Sequence, residues 1–253
     1  MILVFGLTLV AFSLEMVAIA GGEYRPLYMR KDSELIRVDG FLIDQTPVSN
    51  LDYYGFTQTA KEWRKGAVPG LFAEQNYLVH WTQIEGVWQP AASQNQQAVV
   101  NVSWFAADAY CKKQGKRLPT VAEWEYVASA SETSPDGSQD ENYNQRILDW
   151  YAKPASHGTI GKGPANYWGV KDLHGLNWEW TLDFNSSLTS GESRADSSVN
   201  TDLYCAAAAS GSADPSDYAA FMRYGFRSSL SATFTINNLG FRCAMDISKE
   251  VSE

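Results

Sequence analysis

Near the middle of the chain, 168-WGVKDLHGLNWEWTLDF-184 sets one carboxylate, Glu179, between Trp178 and Trp180, just after a His174-Gly175 bend and close to Asp172. Two flanking tryptophans draw that glutamate toward the interior, where an unsatisfied charge is costly. Any fold open to this chain must therefore satisfy the oxygens of Glu179. Three arrangements compete: a metal cage, a catalytic acid, or an aromatic core with one hydrogen-bonded polar group.

Nine tryptophans and thirteen tyrosines in 253 residues, beside many Gly, Ser and Asn, point to a loop-rich fold in which aromatic packing replaces long aliphatic helices. That weighs against an all-α protein. The net charge of −9, with no Lys/Arg-rich run to offset it, repels a phosphate backbone and argues against nucleic acid as a partner. Residues 2–20 form an apolar run ending in Ala18-Ile19-Ala20, the pattern of a secretory leader with a small-residue cleavage site. The sequence thus predicts a signal segment over 1–20, a domain over 21–253, and a periplasmic or otherwise exported product. Glu15 interrupts the run before it reaches spanning length, so no membrane span is expected after cleavage. Cys111, Cys205 and Cys243 are an odd set: at most one disulfide forms within the chain and one thiol is left over.

Alternating Leu35, Ile36, Val38, Phe41 and Ile43 predict strands around Asp39-Gly40, and Val48-Ser49-Asn50 offers capping side chains before a helix containing Leu51, Tyr54 and Phe56. Residues 61–100 read as surface loops anchored by Trp63, Tyr77, Trp81 and Trp88. A short strand is expected at the start of 99-VVNVSWFAADAYCKKQGKRLPT-120, then a helix with Trp104, Ala107 and Cys111 on its apolar face, ending at Gly115. Thr120 and Glu123 fit a capping box opening 121-VAEWEYVASA-130. The stretches 131–144 and 185–202 have loop composition.

The blocks 99-VVNVSWFAADAYCKKQGKRLPTVAEWEYVA-128, 168-WGVKDLHGLNWEW-180 and 237-NNLGFRCA-244, with 41-FLIDQTPVSN-50, resemble the sulfatase-modifying-factor family that includes the formylglycine-generating enzyme. The resemblance implies a single-domain α+β fold, irregular, loop-rich and related to C-type lectins. The stretches 22-GEYRPLY-28 and 213-ADPSDYAAFMRYGFRSSL-230 look most like the members associated with copper nitrite reductases.

Carried over residue by residue, the resemblance implies a Cys111–Cys243 disulfide. It also implies a structural calcium ion held by the side chains of Asp172 and Glu179 and the carbonyls of Gly175 and Asn177, a donor set that suits a hard cation. Gly175-Leu176-Asn177 departs from the family's usual Gly-Asn-Val or Gly-Asn-Ala, a change a carbonyl ligand survives. The family's other calcium site falls in a segment this chain shortens. Trp178, Arg227, Ser228 and Asn238 match positions lining the substrate groove. The family's enzyme oxidises a substrate cysteine with O2 through two Cu(I)-binding cysteines, but 214-DPSDYAAFMR-223, where that pair belongs, has none. Cys205 is the one candidate thiol.

Three functions follow as expectations. The first is an accessory or maturation factor binding a protein or peptide partner, such as a copper nitrite reductase. The second is an oxidoreductase using O2 and a metal with Cys205 as its catalytic residue, the reading under which copper enters. The third is a calcium-stabilised, lectin-like binding module. No iron triad of the His-x-x-x-His-x-Glu type, zinc-type Cys/His spacing, phosphate-binding glycine loop or nucleophile elbow is present in the sequence.

Overall fold

In the computed structural model, which describes residues 15–24, 35–137, 140–152, 158–185, 222–223 and 225–247, the expected apolar alternation becomes real strands. Four strands open the chain: β1 (Met16–Ile19), β2 (Gly22–Tyr24), β3 (Ile36–Val38) and β4 (Phe41–Asp44). β2 and β3 form an antiparallel hairpin with Gly22 opposite Val38. β4 is the middle of a three-stranded antiparallel sheet, flanked by β1, with Ile19 opposite Phe41, and by the C-terminal strand Ala244–Asp246. Gly21 and Gly40 let the two chain segments cross: a Cβ on Gly21 would stand 2.8 Å from the amide nitrogen of Gly40.

Part of the expected leader is therefore a sheet strand. Residues 1–14 lie outside the described residues, but Met16–Ile19 pairs along its whole length with β4, and Ile19 is 1% exposed. A boundary at Ala20 would cut the folded unit. An apolar run looks the same to a periodicity argument whether it serves as a leader or as a half-buried strand.

The predicted caps shape the helices. Ser49 opens α1 (Asn50–Thr59) with a capping box completed by Asp52, Ser103 caps α2 (Trp104–Lys113), and Thr120 with Glu123 opens α3 (Val121–Ala128). Gly115 then turns the chain with φ +70°. The loop expected over 131–144 ends earlier than its composition suggests, because α4 (Glu141–Ala152) starts inside it. Asp140 accepts the amide of Tyr143 at 3.1 Å, and Tyr143 and Ile147, one turn apart, are both buried. Nor does a strand form at 99–103: Val99 donates to the carbonyl of Val48 and Asn101 to that of Ile236.

Two cores result. One gathers Tyr53, Leu78, Trp81, Tyr110, Trp180 and Phe241 around α1 and α2. The other lies under the three-stranded sheet and α3, with Ile19, Phe41, Ile43, Trp124 and Val127. Residues 61–100 are thus only partly surface. The hairpin of β5 (Thr82–Ile84) and β6 (Val87–Gln89) is largely exposed, whereas Trp81 is buried and donates its indole N–H to Asn50 Oδ1 at 2.9 Å. The Cys111–Cys243 disulfide is formed, S–S 2.03 Å, and joins α2 to the chain just before its last strand, with both cysteines 0% exposed. No helix among the described residues is long and apolar enough to cross a membrane.

Candidate functional site

The site is built on a two-residue parallel ladder in which β7 (Trp178–Glu179) pairs with β8 (Leu239–Gly240). The Trp178 amide donates to the carbonyl of Asn238 at 2.7 Å, and that of Trp180 to Gly240 at 2.9 Å. Strand alternation then separates the neighbours: Glu179 points into the core while Trp178 stays half-buried.

Glu179 meets its demand for partners with Arg242, on the chain just before the final strand, β9 (Ala244–Asp246). The two side chains are 0% exposed, with Arg242 Nε to Glu179 Oε2 and Nη2 to Oε1 both at 2.8 Å. The Trp124 indole N–H adds a third bond, 2.7 Å to Oε2. Arg242 spends its other donors on the carbonyls of Asp44, Gln45 and Lys171. A buried pair of opposite charges is tolerable only when it is so completely hydrogen-bonded. This reading lies nearest the aromatic core with a satisfied acid, and the partner is a guanidinium that local sequence does not reveal.

The bend itself is tight. Asp172 adopts φ +59° and Gly175 φ +100°, and Asp172 Oδ2 accepts the amide of Gly161. Among the described residues no three His, Cys, Asp or Glu side chains stand together as a metal cluster, so a cation here would rely on main-chain oxygens. Carboxylate and carbonyl oxygens are the donors a hard cation takes. Three of the roughly four lone-pair positions on Glu179 are in use, leaving one on Oε1, and Asn177 Oδ1 is buried with no hydrogen-bond partner. His174 is a hydrogen-bonding turn residue, its Nε2 3.0 Å from the carbonyl of Ala128. Burial, and then the charge of Arg223, push its pKa down to about 3, so it stays neutral and offers no proton near pH 7.

A second acid lies on the next residue of α3. Glu125 accepts from Arg223 Nε and Nη2, at 3.0 and 2.8 Å, and from Arg227 Nη1, all three residues being buried. Burial alone would raise the Glu125 pKa, but the two guanidinium charges outweigh it and bring it to about 2. Arg227 and Arg223 lie over the Trp124 ring at 4.7 and 5.7 Å. Trp124 thus has Glu179 at its N–H edge and the arginines at its face, linking the bend to Arg223 and Arg227.

Of the expected groove residues, Trp178 meets Asn238 through its main chain and the 225–228 segment through a neighbour of Arg227. Phe226, beside Arg227, stacks on Trp178 with centroids 4.3 Å apart and planes 23° from parallel. Ser228 turns its hydroxyl back onto the carbonyl of Gly225, and Asn238 is half-buried with Oδ1 lacking a partner. Glu125, Arg223, Trp124 and Arg242 do not emerge from the sequence as site residues. One signal was present: Arg223 and Arg227 are four residues apart, one face of a helical turn, while Glu125 is a carboxylate in a helix with almost no polar face. Cys205 lies outside the described residues.

A model of the sulfatase-modifying factor enzyme 1-like domain matches residues 11–247. The chain belongs to the sulfatase-modifying factor family. The formylglycine-generating enzyme of Mus musculus is 30% identical over 86% of this chain and 70% of its own length. That of Streptomyces coelicolor is 31% identical over 90% and 85%. The family also includes the inactive C-alpha-formylglycine-generating enzyme 2 of Mus musculus, 31% identical over 58% of this chain and 59% of its own length. Among solved structures, PvdO from Pseudomonas aeruginosa superposes with a TM-score of 0.48 at 17% identity, covering 92% of this chain and 94% of its own. The family match over residues 11–247 makes the α+β fold that of the sulfatase-modifying factor family. With Cys111 and Cys243 joined, this member has one remaining thiol, Cys205.

Proposed function

We propose that this protein is an exported accessory or maturation factor that receives a segment of a partner polypeptide in the groove of Trp178, Arg227, Ser228 and Asn238, without the two-thiolate copper chemistry of the family's enzymes. The observation that carries this reading is the cysteine count. Two of three cysteines form the buried disulfide, and one thiol cannot supply the pair of soft ligands a family-type Cu(I) centre uses. Arg227 and Trp178 are meanwhile held by a buried ion pair and a ring stack, which a retained binding role explains. The partner class is a copper enzyme of the nitrite reductase type, on the likeness of 22-GEYRPLY-28 and 213–230 to members associated with such enzymes.

A calcium ion belongs to this proposal as a scaffold element, held by Asp172, Glu179 and the carbonyls of Gly175 and Asn177. Its chemistry would be electrostatic, fixing the bend from which Trp178 projects.

The test is an anaerobic Cu(I) titration followed by oxygen uptake in the presence of a cysteine-containing peptide, on the wild-type protein and Cys205→Ser. Matching copper affinity in the two proteins and no oxygen uptake are expected. Tight, Cys205-dependent Cu(I) binding with oxygen consumption would overturn the proposal in favour of an oxidoreductase.

A further inference from the structure

One interior carboxylate serves two guanidiniums. Arg223 takes both oxygens of Glu125, Nε standing 3.0 Å from Oε1 and Nη2 2.8 Å from Oε2, whereas Arg227 reaches Oε1 through Nη1 alone. Glu125 and Arg227 are each 6% exposed and Arg223 4%, so water screens this set poorly. Among the described residues no second carboxylate pairs with Arg227. Glu179, at the far edge of the Trp124 indole, is matched by Arg242, and His174 is neutral. The Trp124 face, 4.7 Å from the Arg227 guanidinium, attracts it without supplying a counter-charge. Nε and Nη2 of Arg227 make no hydrogen bond among the described residues, yet they are not enclosed, so this edge of the guanidinium reaches solvent.

We propose that the Nε and Nη2 edge of Arg227 is a subsite that receives one carboxylate of the partner segment. A planar guanidinium presents these two N–H groups in parallel, so both oxygens of a carboxylate accept at once. Glu125 holds Nη1 on the other side and Trp124 lies under the plane, so the donors are oriented before a partner arrives. Phe226, the preceding residue, stacks on Trp178 and adds apolar surface next in the chain. The ligand is a single acid, not an acidic tract, because the net charge of −9 repels a run of negative charge. The two arginines thus have different tasks: Arg223 neutralises Glu125, and Arg227 carries charge for the partner. The subsite rests on the binding role proposed for the groove and specifies the chemistry of what is bound.

Three peptides of one length test it: acetyl-Ala-Phe-Asp-Ala-Ala-amide, the same peptide with Asn in place of Asp, and that Asn peptide with a free C-terminal carboxylate. Each is titrated by NMR into the full chain as wild type, Arg227→Gln, Arg227→Lys and Trp178→Ala. Wild type should bind the Asp peptide about tenfold or more tighter than the capped Asn peptide. That preference should vanish in Arg227→Gln, which leaves Glu125 paired with Arg223. Arg227→Lys keeps the charge and loses the fork, so it should bind the Asp peptide less tightly than wild type, and it carries the test if the Gln variant does not fold. A preference for the free-terminus peptide in place of the Asp peptide also supports the subsite and assigns its carboxylate to a chain end. Equal binding of all three peptides, lost in Trp178→Ala, overturns the carboxylate subsite while the groove reading stands. An acid preference that survives both Arg227 substitutions overturns the assignment to Arg227. Binding of none of the peptides to wild type overturns the subsite together with the binding role.

Discussion

Replacing Glu125 with glutamine removes the carboxylate that Arg223 and Arg227 share while preserving its shape. Glu125 and both arginines are less than a tenth exposed, so solvent does little to replace the lost charge. Breaking a buried pair from one side typically costs about 3–5 kcal/mol, and for a chain of this size each kcal/mol moves the melting temperature by about 2–4 °C. Glu125→Gln should therefore melt about 6–20 °C lower at neutral pH. Acid sharpens the test. The Glu125 pKa is depressed to about 2 from an ordinary 4.5, so its contribution is fully present above the ordinary value and lost as pH falls toward about 2. A shift of this size is worth on the order of 3 kcal/mol. The gap between wild type and variant should thus narrow as pH falls through that window, because the wild type loses what the variant already lacks. Circular dichroism melts from pH 7 down to pH 2 measure both. A loss below about 1 kcal/mol at neutral pH, or a gap that does not change with acid, would refute the reasoning.

Replacing Cys111 and Cys243 by serine opens a loop of sequence separation 132 and should cost about 4–5 kcal/mol in the chain-entropy model, read as a lower melting temperature than the oxidised wild type. Calcium removal by a chelator should lower melting by about 5–11 °C if the ion is present at about 100 times its dissociation constant, and calcium should restore it. No change in a metal-stripped sample would count against the cage. Trp178→Ala removes the stack on Phe226 and should weaken partner binding about tenfold or more in a titration, while the melt shifts less than in the disulfide variant.

What could be read in the sequence was mostly local. Ser49 and Thr120 announce their helices because a capping box needs only four consecutive residues, and the family blocks supplied the Cys111–Cys243 pairing. The unread parts are long-range or look alike in one dimension. Glu179 finds Arg242 63 residues away with no local mark of the pairing, and Glu125 finds Arg223 98 residues away, marked only by the four-residue spacing of Arg223 and Arg227. β1 is hidden in an apolar run that also suits a leader, and the start of α4 in a polar stretch whose cap, Asp140, resembles any loop aspartate.

The two walls of the groove differ in how they are attached. Trp178 and Asn238 belong to main chain that continues directly into Glu179 and Leu239, both buried, so a change of backbone there is a change in the core. Phe226 meets Trp178 through ring contact, and Arg227 meets Glu125 through side chain alone. Descendants of this protein that come to grip a different partner would accordingly vary at Phe226 and Ser228, while Arg227 stays in its buried pair with Glu125 and the main chain of Trp178 and Asn238 stays nearly fixed. Specificity can drift on one side of the cleft while the other records ancestry.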